Sequence, residues 1–305
     1  MLRIVLVYAT GVINVKNKSG IYKTVGLLIL TITATYLWLP MFSFRYEAVT
    51  AMADGKTPVT IIMYHSITRN RTGDYFIPPE LFESDIKYLK DNGYNFVTIT
   101  DIINYVNRLI SWLPEKAVVI TFDDGYYNNY LYAYPVMQEH DLPFVIAVLG
   151  HYTDMNKEGD KMHEDYSHLT WEQIREMDRS GIVEIQNHSY NLHTFEYGRV
   201  GSKRKHGESL EDYRKILTED LMKLQELLKE HSDVWPNTFV YPFGSISPES
   251  VEILRDMGVK AALTASGGIN YLKKGDEDLL FNLKRFNRPY GKSSEAFFKD
   301  KLAGY

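Results

Sequence analysis

The chain contains no cysteine. Disulfides, thiolate metal sites and a cysteine nucleophile are therefore excluded, and oxidising surroundings are neither required nor ruled out. A basic excess is missing too: 34 Lys and Arg stand against 39 Asp and Glu, a formal net charge of -5. The electrostatic footprint of a nucleic-acid binder is thus absent, and no nucleic-acid partner is expected. No Pro/Gly/Ser-rich linker and no internal repeat divides the chain after residue 58, which leaves one domain there. What remains is the composition of an ordinary globular protein, 45% hydrophobic and 24% charged, not of a disordered, collagenous or coiled-coil one. Tyrosine is plentiful at 23 residues, and such amphipathic rings suit sugar faces as well as cores.

Charge is absent over one long stretch, residues 24–44, between Lys23 and Arg45. At about 1.5 Å per residue it reaches roughly 31 Å, enough to cross a hydrocarbon core. Arg3, Lys16, Lys18 and Lys23 precede it, and no acid occurs before Glu47. The positive-inside rule then predicts a cytoplasmic N-terminus with everything after Arg45 outside the cell. The expected division is a basic cytoplasmic tail (1–23), a transmembrane anchor (24–44), a linker (45–58) and one extracellular domain (59–305). A cleaved signal peptide is the alternative, with Ala51-Met52-Ala53 as an A-x-A-like site. The apolar run exceeds a usual signal-peptide core, which favours a single-pass protein of the cell membrane. Either reading exports the domain.

Within 59–305, short apolar runs of strand type alternate with helix-type segments. Strands are predicted at 59–64, 96–99, 117–122, 143–148, 183–186, 238–241, 259–263 and 282–286. Helices are predicted at about 80–92, from a cap at Thr100, from a Thr170/Gln173 capping box to Gly181, at about 209–230 and at 248–257. Repeated β-α alternation implies an α/β fold with a mainly parallel sheet, whose chemistry sits at the C-terminal strand ends.

Polar residues collect at those ends. Asp123 and Asp124 close the strand 117–122, where two adjacent acids are costly unless paired or metal-bound. Side chains alternate along a strand, so the two carboxylates can serve different partners, a metal and a proton. An ordinary Asp-Gly turn with solvated acids is the plainer alternative. His188 and His193 follow the strand 183–186; two imidazoles with one carboxylate make a sound site for a first-row divalent ion with open positions. His65 ends the first strand, and Tyr241-Pro242-Phe243-Gly244 ends another. The other histidines, His168 among them, are read as surface residues, and 203–206 as a solvated basic loop.

Thr121-Phe122-Asp123-Asp124-Gly125, then His188-Ser189 with His193, then Tyr241-Pro242-Phe243-Gly244 resemble, in order, the motifs of the NodB-like polysaccharide deacetylase family. Met63-Tyr64-His65 resembles the subgroup containing surface poly-N-acetylglucosamine deacetylases. The resemblance covers about 59–290. It implies a distorted (β/α) barrel of about seven parallel strands and removal of N-acetyl groups from an acetylated glycan. It also implies one divalent metal ion, zinc first, with cobalt, nickel or manganese as alternatives. Residue by residue it makes Asp123 the catalytic base, Asp124, His188 and His193 the metal ligands, and the backbone N–H of Phe243 an oxyanion donor. Tyr126, Tyr190 and Tyr241, beside these motifs, are expected to contact substrate.

The chain departs from the family pattern in three places. The two histidines are separated by one extra residue. Val240 stands where the family has an arginine, and Arg285 or Arg288 is expected to supply that charge. The C-terminal Leu-x-His that provides the acid is missing, and His65 is expected to replace it. Competing readings are a tethered glycan-binding barrel with weak or no catalysis and a carbohydrate O-acetyl esterase. A non-haem iron oxygenase shares the two-His-one-carboxylate set but needs neither Asp123 nor export.

Overall fold

The computed structural model describes residues 5–8, 11–14, 55–156 and 161–302. The expected anchor, 24–44, lies outside the described residues, among which no helix is long and apolar enough to cross a membrane. Strands β1 (Val5–Tyr8) and β2 (Gly11–Asn14) pair antiparallel.

Everything else is organised around one curled sheet. Its path runs β11-β10-β9-β8-β7-β3-β12. In chain order these are β3 (Thr57–Tyr64), β7 (Ala117–Phe122), β8 (Phe144–Val148), β9 (Val183–Asn187), β10 (Thr238–Val240), β11 (Ala261–Leu263) and β12 (Asn270–Leu272). Two short strands, β6 (Asn95–Phe96) and β13 (Phe286–Asn287), pair parallel with β7 and β3. A separate two-stranded ladder joins β4 (Ser66–Ile67) to β5 (Phe76–Ile77). All pairs along the main path are parallel except β12 with β3. About seven parallel strands are expected; among the described residues six run parallel along the main path, β6 and β13 add two short parallel pairings, and β12 is antiparallel. The reason is topological: the chain leaves β11 at its C-terminal end and must return beside the start of β3. It then runs back up as residues 283–287, where Leu283 bridges to Leu263 and Phe286 pairs with Ile62.

The parallel strands are buried on both faces, as such sheets require. Ala117 and Val119 of β7 join one apolar cluster with Val59, Ile61, Val145 and Phe239. Val118, Ile120 and Phe122 join the other with Ile62, Tyr64, Ile146 and Phe144. Period-two alternation therefore packs each strand into two layers at once.

The helices are α1 (Pro79–Asp91), α2 (Ile99–Val106), α3 (Tyr134–Glu139), α4 (Gly150–Met155), α5 (Trp171–Arg179), α6 (Leu210–Ser232), α7 (Pro248–Asp256) and α8 (Ser294–Lys301). The Thr170/Gln173 capping box opens α5 as expected. At α2 the cap is Thr98, reciprocated by Asp101, and not Thr100. The earlier cap shortens the preceding strand to two residues. Thr100 instead gives its N–H to the Glu184 carboxylate, 3.1 Å away. Helices α3, α4 and α8 escaped the sequence reading; α3 and α4 have only six residues each, too few to show a helical period.

Candidate metal centre and active site

The centre of the site is a turn made by two residues. β7 stops at Phe122, and Asp124 and Gly125 follow with φ of 68° and 64°. Left-handed backbone is cheap for glycine but strained for aspartate, and such strain collects where a side chain must be aimed. A Cβ at Gly125 would also stand 3.1 Å from a Val148 methyl. The Asp-Gly pair thus swings the Asp124 carboxylate toward the end of β9.

There it meets both histidines. Asp124 Oδ1 lies 3.4 Å from His188 Nε2 and 3.4 Å from His193 Nε2. All three ligand atoms lie within 4.8 Å of one another. His188 Nδ1 donates to the Val240 carbonyl at 2.7 Å, which turns Nε2 toward the carboxylate; burial opposes a proton there, but Asp124 draws the His188 pKa up, so a proton or a metal ion is favoured between the two atoms. Asp124 Oδ1 and His188 Nε2 are buried, and neither has a hydrogen-bond partner. A lone pair facing a carboxylate oxygen in a dry site is unfavourable unless a cation stands between them. The donor set and its tautomer therefore fit a divalent ion of the kind that accepts two imidazoles and a carboxylate. Burial opposes ionisation of Asp124, but the surrounding imidazoles hold its pKa far below the ordinary carboxylate range.

Asp123 faces another partner. Arg285 Nη1 reaches its Oδ1 at 2.6 Å and Nη2 its Oδ2 at 2.8 Å. Both side chains are buried. Arg285 is itself held by Nε donating to the Thr264 carbonyl at 2.8 Å. Burial favours the neutral acid, yet the guanidinium outweighs it and keeps the Asp123 pKa low. Arg288, the alternative on the same segment, is engaged elsewhere. Its Nε and Nη2 bind Asp85 at 2.8 and 3.0 Å, and Tyr64 adds its hydroxyl to the same carboxylate.

His65 follows β3, whose register sets Tyr64 opposite Phe122. Asp123 N–H donates to the Tyr64 carbonyl at 3.0 Å, so His65 emerges beside Asp123. Burial depresses its pKa, against the pull of Asp123 and Asp124. Its Nδ1 is buried without a partner, and its ring meets Tyr75 edge-on at 4.6 Å. Phe243 sits in a tight turn with φ of 57°. Its ring centroid is 4.1 Å from that of His193, and Phe195 stacks on it at 4.1 Å.

The three tyrosines part company. Tyr126 is half-buried, and the Asp124 carboxylate adds to burial in pushing its pKa up. Tyr241 is 1% exposed, with its hydroxyl 2.8 Å from Ser250 Oγ and its pKa pushed by burial to about 12. It braces α7 and cannot contact substrate, because the β10 alternation turns it into the core. Tyr190 donates its hydroxyl to Asp154 at 2.9 Å, under a Lys223 ammonium 3.5 Å from its ring; it ties the histidine loop to α4. His168 is no surface residue. It is stacked between Tyr126 and Tyr152, and burial lowers its pKa to about 4. It went unrecognised because it lies in a loop with no periodicity. Asp220, which binds the histidine loop from α6, was equally hidden, as one acid among many on a charged helix.

Residues 112–262 match the family described as polysaccharide deacetylase. The chain is 29% identical over 228 residues to the poly-beta-1,6-N-acetyl-D-glucosamine N-deacetylase of Escherichia coli (strain K12). That alignment takes in 68% of this chain and 34% of the relative, so the chain spans about a third of that protein's length. Among solved structures, a de-N-acetylase from Aggregatibacter actinomycetemcomitans superposes with a TM-score of 0.67 at 25% identity, over 80% of this chain and 99% of that one. IcaB from Ammonifex degensii superposes with a TM-score of 0.65 at 28% identity, over 81% and 96%.

Proposed function

We propose that the chain, whose residues 112–262 match the polysaccharide deacetylase family, removes N-acetyl groups from an extracellular polymer of N-acetylglucosamine. The observation that carries this reading is the convergence of Asp124, His188 and His193 on one point, with the ionised Asp123 next to them. The name of the Escherichia coli relative supports poly-β-1,6-N-acetylglucosamine as the substrate class.

An acetamide is a poor electrophile and its amine a poor leaving group, so hydrolysis needs help on both sides. A divalent ion held by Asp124, His188 and His193, zinc first, would supply Lewis-acid polarisation of the carbonyl and acidify the attacking water. Asp123 accepts the water's proton, aimed by the Arg285 fork. The Phe243 N–H donates to the developing oxyanion; such a donor is worth about 3–4 kcal/mol in other hydrolases. His65, beside Asp123, rests as a neutral imidazole because burial depresses its pKa; the proton that Asp123 takes from water passes through it to the departing amine, which leaves both groups as they began. Tyr126, close to Asp124, faces the substrate.

Residues 24–44 tether the domain outside the cell in this reading. The end of the sheet where β3 begins supports it. Leu109 (73%), Trp112 (68%) and Trp235 (51%) stand exposed there, on loops entering β7 and β10. Tryptophans of this kind favour the membrane–water interface.

The test is acetate release by the purified full chain from β-1,6-linked N-acetylglucosamine oligomers, chitin oligomers, peptidoglycan and acetylated xylan, with and without chelator. Chelator-sensitive release from the first substrate is expected. Release from xylan alone would make the protein an ester hydrolase, and binding without release would make it a glycan-holding barrel.

A further inference from the structure

The loop joining the two histidines is one residue longer than the family's usual spacing, and its amide hydrogens show how it is held. His188 N–H donates to the Val148 carbonyl at 3.1 Å. Ser189 N–H donates to Asn187 Oδ1 at 2.8 Å, and Leu192 N–H to Ser189 Oγ at 3.1 Å. The two amides between them, Tyr190 and Asn191, have no backbone acceptor. Asp220 of α6 takes both, Oδ1 from Tyr190 and Oδ2 from Asn191, each at 2.8 Å. The same helix holds the end of β9, where Asn187 Nδ2 donates to the Leu221 carbonyl at 3.0 Å.

The two histidines are fixed very differently. His188 is buried and locked by Val240. His193 is 24% exposed at its side chain, and its ring neighbours are His188 and Phe243. Its place beside Asp124 depends on the backbone that delivers it. That backbone is tied to α4 through the Ser189 and Tyr190 carbonyls, which accept from Gly150 and His151 at 3.2 and 2.8 Å, and to α6 through the Asp220 carboxylate alone, which takes the Tyr190 and Asn191 amides.

We propose that Asp220 is the positioning residue of the metal site: its carboxylate clamps the Tyr190 and Asn191 amides and so sets His193 against Asp124. A carboxylate matches two adjacent N–H groups with one oxygen each. An amide at this position keeps one acceptor and turns an N–H₂ toward the second amide. Removing the side chain leaves both N–H groups without an acceptor, and the loop relaxes toward solvent. Partners that orient metal ligands from outside typically govern affinity by about 10–100-fold.

The inference rests on the proposed metal site, and the experiment separates the two. Co²⁺ is titrated into the chelated full chain and followed by its visible absorption, which reports ligand geometry. Asp220→Ala is expected to weaken Co²⁺ binding by about tenfold or more and to alter the spectrum. Asp220→Asn should fall between it and the parent, with faster hydrogen exchange at the Tyr190 and Asn191 amides in the metal-free protein. A purely structural role would lower the melting temperature and leave affinity and spectrum alone. Asp220→Ala binding Co²⁺ within about twofold of the parent, with the parent's spectrum, overturns the proposal whatever its stability. Should Asp220→Ala fail to fold, Asp220→Asn decides by the same criteria. A parent chain that binds no Co²⁺ removes the metal site itself, and the clamp with it.

Discussion

Arg285 grips Asp123 with two parallel hydrogen bonds, at 2.6 and 2.8 Å, although 162 positions of chain separate them. The fork fixes the carboxylate in one plane and keeps it ionised, at a cost in basicity. It brings to Asp123, from the far end of the chain, a charge that Val240 cannot carry. Arg285→Lys keeps the charge but cannot form the fork. Turnover should fall by about 100-fold or more, within the range that general-base catalysis contributes, with bound metal unchanged. Arg285→Ala leaves a buried carboxylate unpaired and should destabilise the fold by about 3–5 kcal/mol. Steady-state kinetics, metal analysis and thermal melting check the pair; a Lys variant with parental turnover would take Arg285 out of the active site.

Removal of metal should abolish acetate release, and added Zn²⁺ or Co²⁺ should restore it. Because Asp124 Oδ1 and His188 Nε2 are buried and unpartnered, the chelated protein should also melt earlier. Metal at 100 times its dissociation constant should add about 2.7 kcal/mol. Identical melting curves with and without Zn²⁺ would show that these three side chains hold no ion.

His65→Ala and Asp123→Asn should both depress turnover by about two orders of magnitude or more while leaving metal content intact, since neither side chain is among the three converging donors. Loss of metal from either variant would move that residue into the ligand set.

His168 gives a pH signature. Its folded-state pKa, about 4, lies below the ordinary histidine value near 6.5. The unfolded chain therefore binds a proton that the folded one refuses across that window. This group's contribution is full above about pH 6.5 and is lost as pH falls toward 4. In metal-free protein, His168→Gln should lose less stability than the parent over that interval, and chemical denaturation at stepped pH measures it. Parallel curves would mean that His168 is solvated.

The features legible in the sequence were those carried by local pattern. Val118 to Phe122 read as a buried parallel strand because all but Thr121 are apolar, and Thr170 with Gln173 read as a cap because the two sit one helical turn apart. Asp123, Asp124, His188 and His193 stood out as polar residues at strand ends. Which partner each one meets depends on the curl of the sheet, so local pattern left Arg285 and Arg288 interchangeable. Tyr241 looked like a site residue by adjacency, but the strand's alternation sends it inward. Asp220 leaves no trace in the sequence, since its role exists only where α6 crosses the loop after β9.

β3 begins at Thr57 and delivers His65 just past its other end. Eight residues at roughly 3.3 Å each set these points about 26 Å apart. In the proposed arrangement, a leash joined at Thr57 would hold the curled sheet by its floor, with the candidate metal centre opening away from the lipid. The domain would then meet polymer strands already clear of the bilayer.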